Sequence, residues 1–224
     1  KKGMDLIGTI PFPPSTGIST FTGNDSNTAG QGIDIVLNTK NIVRTFKWQT
    51  SFFYSYATDK VTKYLYPSLA SFYLSGSTGY LPLQGKPQYA IYSYKWAGLD
   101  PATGNPQGYL NGQISQNYAS IIQAATPQNI VYNGPARPTS FGAIRNTFIW
   151  KQFSLSANIS YRLGYYFRKI SVNYFTVLQG LGGNGDFEKR WQKPGDEQFT
   201  QVPSMPAAIN ANRDNFYTYS SILA

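Results

Sequence analysis

The chain lacks cysteine and histidine, and acidic residues are scarce. Its 224 residues include 0 Cys, 0 His and only 10 Asp and Glu together. Without cysteine there are no disulfide scaffolds, thiol catalysis or cysteine-based zinc sites, and without histidine the commonest general base and metal ligand is gone. The scattered carboxylates give little material for a hydrolase that works with two of them. The composition therefore predicts a protein that is not an enzyme and uses no cofactor.

Long hydrophobic runs are missing as well. No stretch approaches about 18 consecutive apolar residues, so a membrane-spanning role would require a closed β-barrel instead of a helix. Charged residues make up 13%, about half the usual share, whereas aromatic residues reach 16%. The 21 Gly and 14 Pro favour many turns. This balance suits an all-β protein whose surface partly faces lipid or sugar.

The net charge of +9 would ordinarily indicate a nucleic-acid partner. Here the Lys and Arg residues are spread singly along the chain and do not cluster into a stripe. Cations dispersed near strand ends fit anionic lipid headgroups equally well. We therefore expect outer-membrane lipid, and no nucleic acid, among the partners.

The clearest pattern is a strict alternation over residues 153–167, FSLSANISYRLGYYF. Period-two alternation is typical of a β-strand with two different faces. About thirteen residues tilted by about 40° cover roughly 30 Å, close to the hydrocarbon thickness of a bilayer. On this pattern alone, a soluble β-sandwich and a membrane barrel both stay open. In the barrel interpretation the lipid-facing residues are Leu155, Ala157, Ile159, Tyr161 and Leu163.

Four strands and two long loops are predicted. The strands lie at roughly 32–38, 46–57, 140–150 and 153–166, and only Lys151 and Gln152 separate the last two. The loops, roughly 58–139 and 167–224, are rich in Tyr, Gly, Pro and Ser. The stretch up to about Thr28 is also predicted to be an extended loop. Long loops on one side and tight turns on the other are typical of membrane barrels. Trp150 and Phe153 flank the tight turn, as expected for an aromatic belt at an interface.

Two motifs that suggest ligands are better interpreted as turns. Residues 180–185, GLGGNG, satisfy the dinucleotide pattern, but no βαβ unit surrounds them and Pro194 with Gly195 stops any following helix. They are interpreted as a flexible loop. Asp100 and Asn105 lie in GLDPATGNPQGYLNG, where oxygen ligands are too few for a calcium site and turn dipeptides dominate.

Aromatic residues in the predicted loops are candidates for contacts with cargo or with a partner protein. Such rings stack on sugars and anchor partners, but they also pack inside folded loops, and both interpretations apply to Tyr92 and Tyr94. The residues selected as candidate external contacts are Trp96, Tyr109, Arg190 and Trp191.

An ordered series of segments resembles a known family. YSYKWAGLDPATGNPQGYLNG is followed by a Gly-x-x-x-Pro step at 134–138, then by FGAIRNTFIWKQFSLSANISYRLG and KRWQKPGDEQFTQVPS. KKGMDLIG, NTAGQGIDIVLNTKNI and FKWQTSFFYSY precede them. In this order the segments resemble the later barrel region of SusC/RagA-type TonB-dependent outer-membrane transporters of Bacteroidetes.

The resemblance implies part of a 22-stranded antiparallel transmembrane barrel with long extracellular loops. It implies import of glycan or peptide fragments through the bacterial outer membrane with a SusD-like surface lipoprotein. The TonB complex would act through parts of the transporter outside this chain. Residues 1–224 would then be a partial barrel without the plug domain, a fragment of a longer protein. An alternative from another class is a secreted or surface-attached β-sandwich that binds carbohydrate through its loop aromatics.

Overall fold

The computed structural model describes residues 1–11 (without the side chains of 9–11), 15, 17–18, 20–65, 69–75 and 82–224. This part of the chain is mostly antiparallel β-sheet with few helices. It divides into two compact units. The first comprises Lys1–Pro67, Pro82–Tyr89 and Pro135–Tyr165, and the second comprises Ser68–Leu81, Ala90–Gly134 and Tyr166–Ala224.

The strands of the described residues are numbered here in chain order. They are β1 (Lys2–Pro11), β2 (Thr20–Val43), β3 (Phe46–Tyr64), β4 (Ala90–Ser93), β5 (Gly108–Leu110), β6 (Gln113–Ser115), β7 (Val131–Pro135), β8 (Ser140–Trp150) and β9 (Phe153–Leu163).

Five of these strands form the sheet of the first unit, in the order β1-β2-β3-β8-β9, and the neighbours run antiparallel. Two short sheets pair β4 with β7 and β5 with β6. Within the described residues the edge strands β1 and β9 do not pair with each other, so the large sheet is open. The described residues therefore do not form a closed barrel by themselves.

The tight β8–β9 hairpin is closed by Lys151 and Gln152, with Lys151 in the left-handed region at φ 55°. β8 covers the same residues as the sequence predicts, whereas β9 ends at Leu163, before the predicted end near 166. The next residue, Gly164, has a φ of 71°, and its carbonyl accepts a hydrogen bond from Thr139 Oγ1 at 3.2 Å. A left-handed residue turns the chain out of the extended path, so the strand stops there.

β1 and the first half of β2 were predicted as loop. The first half of β2 is rich in Gly, Asn, Ser and Thr and carries no apolar alternation. Backbone pairing extends the sheet regardless: Thr20–Ala29 pairs with β1, and most of β2 pairs with β3. β3 likewise continues to Tyr64, beyond the predicted residue 57.

Residues 82–89 lie along the part of β3 that β8 does not cover. Val61 N–H donates to the carbonyl of Lys86 at 2.9 Å, and Val61 O accepts from Gly85 N–H at 2.8 Å. This stretch ends in a closed neck, where Ala136 N–H donates to Tyr89 O at 2.9 Å. The guanidinium carbon of Arg137 lies 3.4 Å from the centre of the Tyr89 ring. The residues that flank the segment 90–134 are therefore hydrogen-bonded to each other.

The second unit contains the helices of the described residues. They are α1 (Ala70–Ser75), α2 (Tyr118–Gln123), α3 (Tyr174–Leu178) and α4 (Ala211–Thr218), with 3₁₀ turns at Gly185–Lys189, Asp196–Gln198 and Ser221–Leu223. Asn117, Asn173 and Asn210 cap α2, α3 and α4, since each side chain accepts a hydrogen bond from a first-turn N–H. None of the described helices is both long enough and apolar enough to span a bilayer.

An aromatic core holds the second unit together. Tyr174 and Phe216 are almost fully buried, and Phe216 stacks with Tyr94 at a centroid distance of 5.6 Å. Tyr73 and Tyr132 contact Tyr92 at centroid distances of 5.6 and 5.9 Å. The segments predicted as long loops thus contain a packed core of their own.

Candidate functional site

One face of the large sheet is apolar across four strands. The register places Leu37, Phe52, Ile144 and Ile159 side by side on β2, β3, β8 and β9. Residues directly opposite each other share a face, so the predicted odd-numbered face of β9 continues over its neighbours. The remaining rows of this face are Ile33–Tyr56–Ser140–Leu163, Ile35–Tyr54–Gly142–Tyr161, Thr39–Thr50–Asn146–Ala157, Ile42–Trp48–Phe148–Leu155 and Phe46–Trp150–Phe153.

Large side chains of this apolar face stay exposed. Leu155 is 67% and Ile159 64% exposed, and residues on β2 and β3, such as Leu37 and Phe46, are exposed too. Contiguous apolar surface of this extent on a protein marks contact with lipid or with another protein. The rows from Trp150 to Ser140 cover about 25 Å along a barrel axis if strands rise about 3.3 Å per residue and tilt by about 40°.

A hydrogen-bonded polar network crosses the apolar face. Asn146 Oδ1 accepts from Trp48 Nε1 at 3.0 Å and from Thr50 Oγ1 at 2.7 Å. Thr50 Oγ1 in turn accepts from Asn41 Nδ2 at 2.7 Å, and Asn41 Oδ1 accepts from Thr39 Oγ1 at 2.8 Å. A register shift in β2 between Lys40 and Ile42 leaves Asn41 unpaired in the ladder and free to reach this face. No sequence pattern indicated the network, although Asn146 interrupts the apolar alternation of β8.

The opposite face of the sheet, called here the polar face, is polar along β9 and mixed on β2, β3 and β8, where it includes Val36, Val43, Phe53, Phe141 and Ile149. Ser154, Ser156, Asn158, Ser160 and Arg162 follow each other at alternate positions of β9. Thr147 and Ser156 share a hydrogen bond of 3.1 Å across β8 and β9. This face also holds Lys40 and Lys47, so their charges lie on the side away from the apolar face.

Trp96 and Tyr109 are half-buried in the second unit. Trp96 stacks on Phe216 at a centroid distance of 6.3 Å, and its Nε1 donates to Gln201 Oε1 at 3.0 Å. Tyr109 lines a cavity of about 230 Å³ and lies 4.5 Å below the Lys95 ammonium. Part of each ring is therefore used in packing, and part remains open to a contact.

Arg190 and Trp191 have different environments although they are adjacent. The Arg190 guanidinium lies over the Phe187 ring at 4.1 Å, donates to Phe187 O at 3.1 Å and lines a cleft of about 440 Å³. Trp191 is buried, and its Nε1 donates to Glu197 Oε2 at 3.1 Å. Its ring packs against Gly104, where an added Cβ would lie 2.3 Å from the indole. Trp191 thus packs as a core residue, as do Tyr92 and Tyr94.

The Asp100 loop is organised by hydrogen bonds within the protein. Asp100 Oδ1 accepts from the backbone N–H groups of Ala102 and Thr103 at 3.0 and 2.8 Å, and its Oδ2 accepts from Gln116 Nε2 at 3.1 Å. The hydrogen bond from the Thr103 side chain is the main cause of the lowered pKa of Asp100. Asn105 Oδ1 is occupied by Arg213 Nε at 3.0 Å. These contacts favour the turn interpretation of this loop over a calcium site.

The glycine motif at 180–185 lies between α3 and the 3₁₀ turn Gly185–Lys189. Gly180 and Gly182 have φ angles of 67° and 122°. Asn184 Oδ1 accepts from the N–H of Asp186 at 2.9 Å and so caps the short turn. A dinucleotide site needs a strand before the glycines and a helix after them, and neither is present at this motif.

Asp186 is the centre of a charged cluster in the second unit. Its Oδ2 lies 2.6 Å from Lys169 Nζ and accepts from Ser171 Oγ at 3.0 Å, while Lys189 Nζ is 3.6 Å from Oδ1. The hydrogen bond from Lys169 is the main cause of the lowered pKa of Asp186. Ser171 also shares a hydrogen bond of 3.0 Å with Tyr217 OH, which links the cluster to the aromatic core. No sequence pattern indicated this cluster.

No family model matches the chain. No curated protein sequence matches it either. Solved structures that are similar to its fold include three of one transporter. One is the structure of the RagAB peptide transporter, with a TM-score of 0.68 and 19% identity, which covers 99% of this chain and 23% of that chain.

The other two show the RagAB peptide importer in its "closed-closed" and "open-open" states. Both have a TM-score of 0.67 and 18% identity over 99% of this chain, and the coverage of the importer chains is 24% and 23%. The chain therefore spans about a quarter of the length of the chains it resembles. At this identity the likeness shows the fold: the chain folds like a part of these transporter chains.

Proposed function

We propose that the chain forms part of the wall and the external loops of a TonB-dependent transporter in the bacterial outer membrane. This transporter imports peptide or glycan fragments together with a SusD-like surface lipoprotein. The observation that carries the proposal is the continuous apolar face over β2, β3, β8 and β9. The likeness in fold to the RagAB peptide transporter supports it.

The apolar face has the properties that a lipid-facing wall needs. Antiparallel pairing satisfies the backbone N–H and C=O groups between neighbouring strands, which lipid cannot do. The apolar rows extend over about 25 Å, which is the height of the apolar band of outer-membrane barrels. Aromatic side chains, among them Trp48, Trp150 and Phe153, lie at the end where β8 turns into β9. Such rings favour the membrane–water interface.

A β-sandwich is a weaker explanation of the same sheet. In a sandwich a second sheet covers the apolar face about 10 Å away and buries it. Leu155 and Ile159 instead keep most of their surface exposed, and the other sheets of the described residues have two short strands each. The described residues therefore lack the second large sheet that a sandwich needs.

The second unit consists largely of the segments that were predicted to be external loops. We propose that it faces the outside of the cell, where it meets the cargo and the lipoprotein. Trp96, Tyr109 and Arg190 remain candidate contacts because part of each side chain is accessible. In the full-length transporter, Tyr109→Ala or Arg190→Ala is expected to weaken cargo uptake or binding of the lipoprotein. Unchanged uptake and binding in both variants would remove these residues from the interface.

A scan of arginine substitutions along β9 tests the wall. Arg is placed in turn at positions 153, 155, 157, 159, 161 and 163 of the full-length transporter, and folding into lipid vesicles is measured. Arg at Ile159, near the middle of the apolar rows, is expected to cost about 2–4 kcal/mol, whereas Arg at Phe153 near the interface costs about 0–1 kcal/mol. Ser160→Arg is the matched control, because Ser160 lies on the polar face beside Arg162. A flat profile, or larger losses on the polar face, would contradict the proposal.

A further inference from the structure

The polar face of the sheet carries cations in four of five successive rows. Lys47 lies opposite Ile149, Lys40 opposite Gln49, Arg145 opposite Asn158 and Arg162 opposite Phe141. Rows of one face are about 7 Å apart along the strands, because two residues separate them. The cations Lys40, Lys47, Arg145 and Arg162 are named here the basic ladder.

No carboxylate neutralises the basic ladder within the described residues. All four side chains are exposed, and none of them takes part in an ion pair there. The one acidic residue in these rows, Asp34, accepts a hydrogen bond from Ser55 Oγ at 2.5 Å. The face therefore has an excess of positive charge.

Small hydroxyl and amide side chains lie beside the middle of the basic ladder, whereas Lys47 lies between Val43 and Ile149, and Arg162 lies opposite Phe141. Ser51 and Asn158 flank Arg145, and Thr147 and Ser156 continue the row of Lys40. Short side chains leave room beside the long cationic ones. Their O–H and N–H groups can also donate hydrogen bonds to carboxylates or accept them from a peptide backbone. The face combines charge with space for a polar ligand.

We infer that the basic ladder selects peptide cargo rich in Asp and Glu. This inference rests on the proposed function, since it requires that the polar face lines the path of the cargo. Cations in a water-filled passage with low-dielectric walls attract anionic ligands and raise their local concentration. A peptide, and not an acidic sugar, is the expected ligand, because the transporter and importer chains with this fold are named for peptides.

The test compares two peptides of equal length that differ only in Glu against Gln. Binding of each to the purified full-length transporter is measured at low and at high salt. The wild type is expected to bind the Glu peptide at least about tenfold more tightly at low salt, with a smaller preference at high salt. In the double variant Arg145→Gln/Arg162→Gln the ratio of the two dissociation constants is expected to fall by about tenfold.

Two controls separate charge on this face from other effects. Lys151→Gln removes a cation in the hairpin turn, outside the ladder, and is expected to leave the ratio unchanged. The single variant Arg145→Gln is expected to give an intermediate ratio, and it replaces the double variant if that one does not fold. A fall in affinity that is equal for both peptides would overturn the inference. Such a fall would show that the substitutions alter the barrel wall or the plug domain and not the preference between the two peptides.

The outcome is also distinguishable from a failure of the proposed function. The protein could insert into vesicles, give the expected profile in the β9 scan and yet bind both peptides equally. This result would support the proposed transporter function and overturn the role of the basic ladder in selecting cargo. Binding of an oligogalacturonate with the same dependence on Arg145 and Arg162, in place of the Glu peptide, would overturn the choice of peptide. A protein that fails the β9 scan would overturn the proposed function and the inference together.

Discussion

The indole N–H of Trp48 on β3 donates a hydrogen bond of 3.0 Å to the side-chain oxygen of Asn146 on β8. This contact joins two strands on a face that is otherwise apolar. In lipid a polar group has no water to replace a lost partner. The five side chains of this network, Thr39, Asn41, Trp48, Thr50 and Asn146, therefore depend on one another.

Replacing Asn146 with Ala is expected to destabilise the sheet of the first unit. Trp48 N–H and Thr50 O–H would lose their shared acceptor, and a buried unsatisfied donor costs about 1–3 kcal/mol. The measurement is the free energy of unfolding of the full-length transporter in vesicles with urea. Asn158→Ala on the polar face is the control, with an expected loss well below that of Asn146→Ala. Equal losses in the two variants would show that the network contributes nothing in the membrane.

Adding a methyl group at Gly104 is expected to loosen the second unit. The Cβ would lie 2.3 Å from the indole of Trp191, so the ring must move, which typically costs about 1–3 kcal/mol. Gly180→Ala is the matched control, because Gly180 has the same φ of 67° and nothing within 4 Å of its Cβ. Limited proteolysis of the full-length transporter is expected to cleave the second unit faster in Gly104→Ala than in Gly180→Ala. Similar cleavage rates would contradict the packing of Trp191.

Tyr92→Phe is expected to leave the stability unchanged or to raise it. The hydroxyl of Tyr92 is buried without a hydrogen-bond partner among the described residues, and its burial raises the pKa of the phenol. Removing such a group removes a desolvation cost of about 1–3 kcal/mol. Tyr118→Phe is the contrasting variant, since Tyr118 OH donates to Pro106 O at 2.8 Å, and burial raises the pKa of Tyr118 to about 12. Thermal stability that falls more in Tyr92→Phe than in Tyr118→Phe would show that the Tyr92 hydroxyl has a partner.

Acid is expected to weaken the second unit through Asp186. The hydrogen bond and charge of Lys169 hold the pKa of Asp186 below its ordinary value of 3.8. A lowered folded-state pKa stabilises the fold above pH 3.8, and this stabilisation is lost as the pH falls through the folded pKa. Resistance of the second unit to proteolysis, measured with an acid-active protease, is therefore expected to fall below about pH 3.8 in the wild type. The variant Asp186→Asn is expected to resist proteolysis less than the wild type at neutral pH. Its resistance is expected to fall less than that of the wild type on acidification.

Asp214 provides a control of opposite sign for that measurement. Burial raises its pKa, so its charged form is disfavoured in the folded state and its contribution improves as the pH falls. Asp214→Asn is thus expected to make the acid-induced loss steeper than in the wild type. A profile that is the same in the wild type and in both variants would exclude these two carboxylates as its cause.

The sequence predicted the strands in which side chains alternate, and it missed those held by backbone pairing. Ile144 and Ile159 keep the period of two, so the faces of β8 and β9 follow from the sequence. β1 and residues 20–31 of β2 lack that period, and their hydrogen bonds to neighbouring strands are not visible in a single sequence. The local pattern of apolar and polar residues indicates which side chains share a face of a strand. Strand pairing, in contrast, depends on residues far away in the chain.

The residues selected as candidate external contacts also depend on parts of the chain that are far away in the sequence. An aromatic residue in a polar, glycine-rich segment has the same sequence signature whether its ring faces solvent or packs in a core. Trp191 packs against Gly104, a residue 87 positions earlier, and only the structure brings the two together. Asp186 likewise depends on Lys169 and Ser171, which precede it by 17 and 15 positions. The sequence could therefore indicate the aromatic richness of the second unit but not which rings remain accessible.

The closed neck at Tyr89 and Ala136 has an evolutionary consequence. A hydrogen bond between Tyr89 and Ala136 holds together the two points where the segment 90–134 begins and ends, so the chain can return to the sheet at the same place when the segment changes. Insertions, deletions and recombination between related genes can then alter this segment, together with its packing partners in 166–224, while β3 and β8 keep their register. A lineage with this architecture can then vary the second unit quickly and retain the sheet of the first unit.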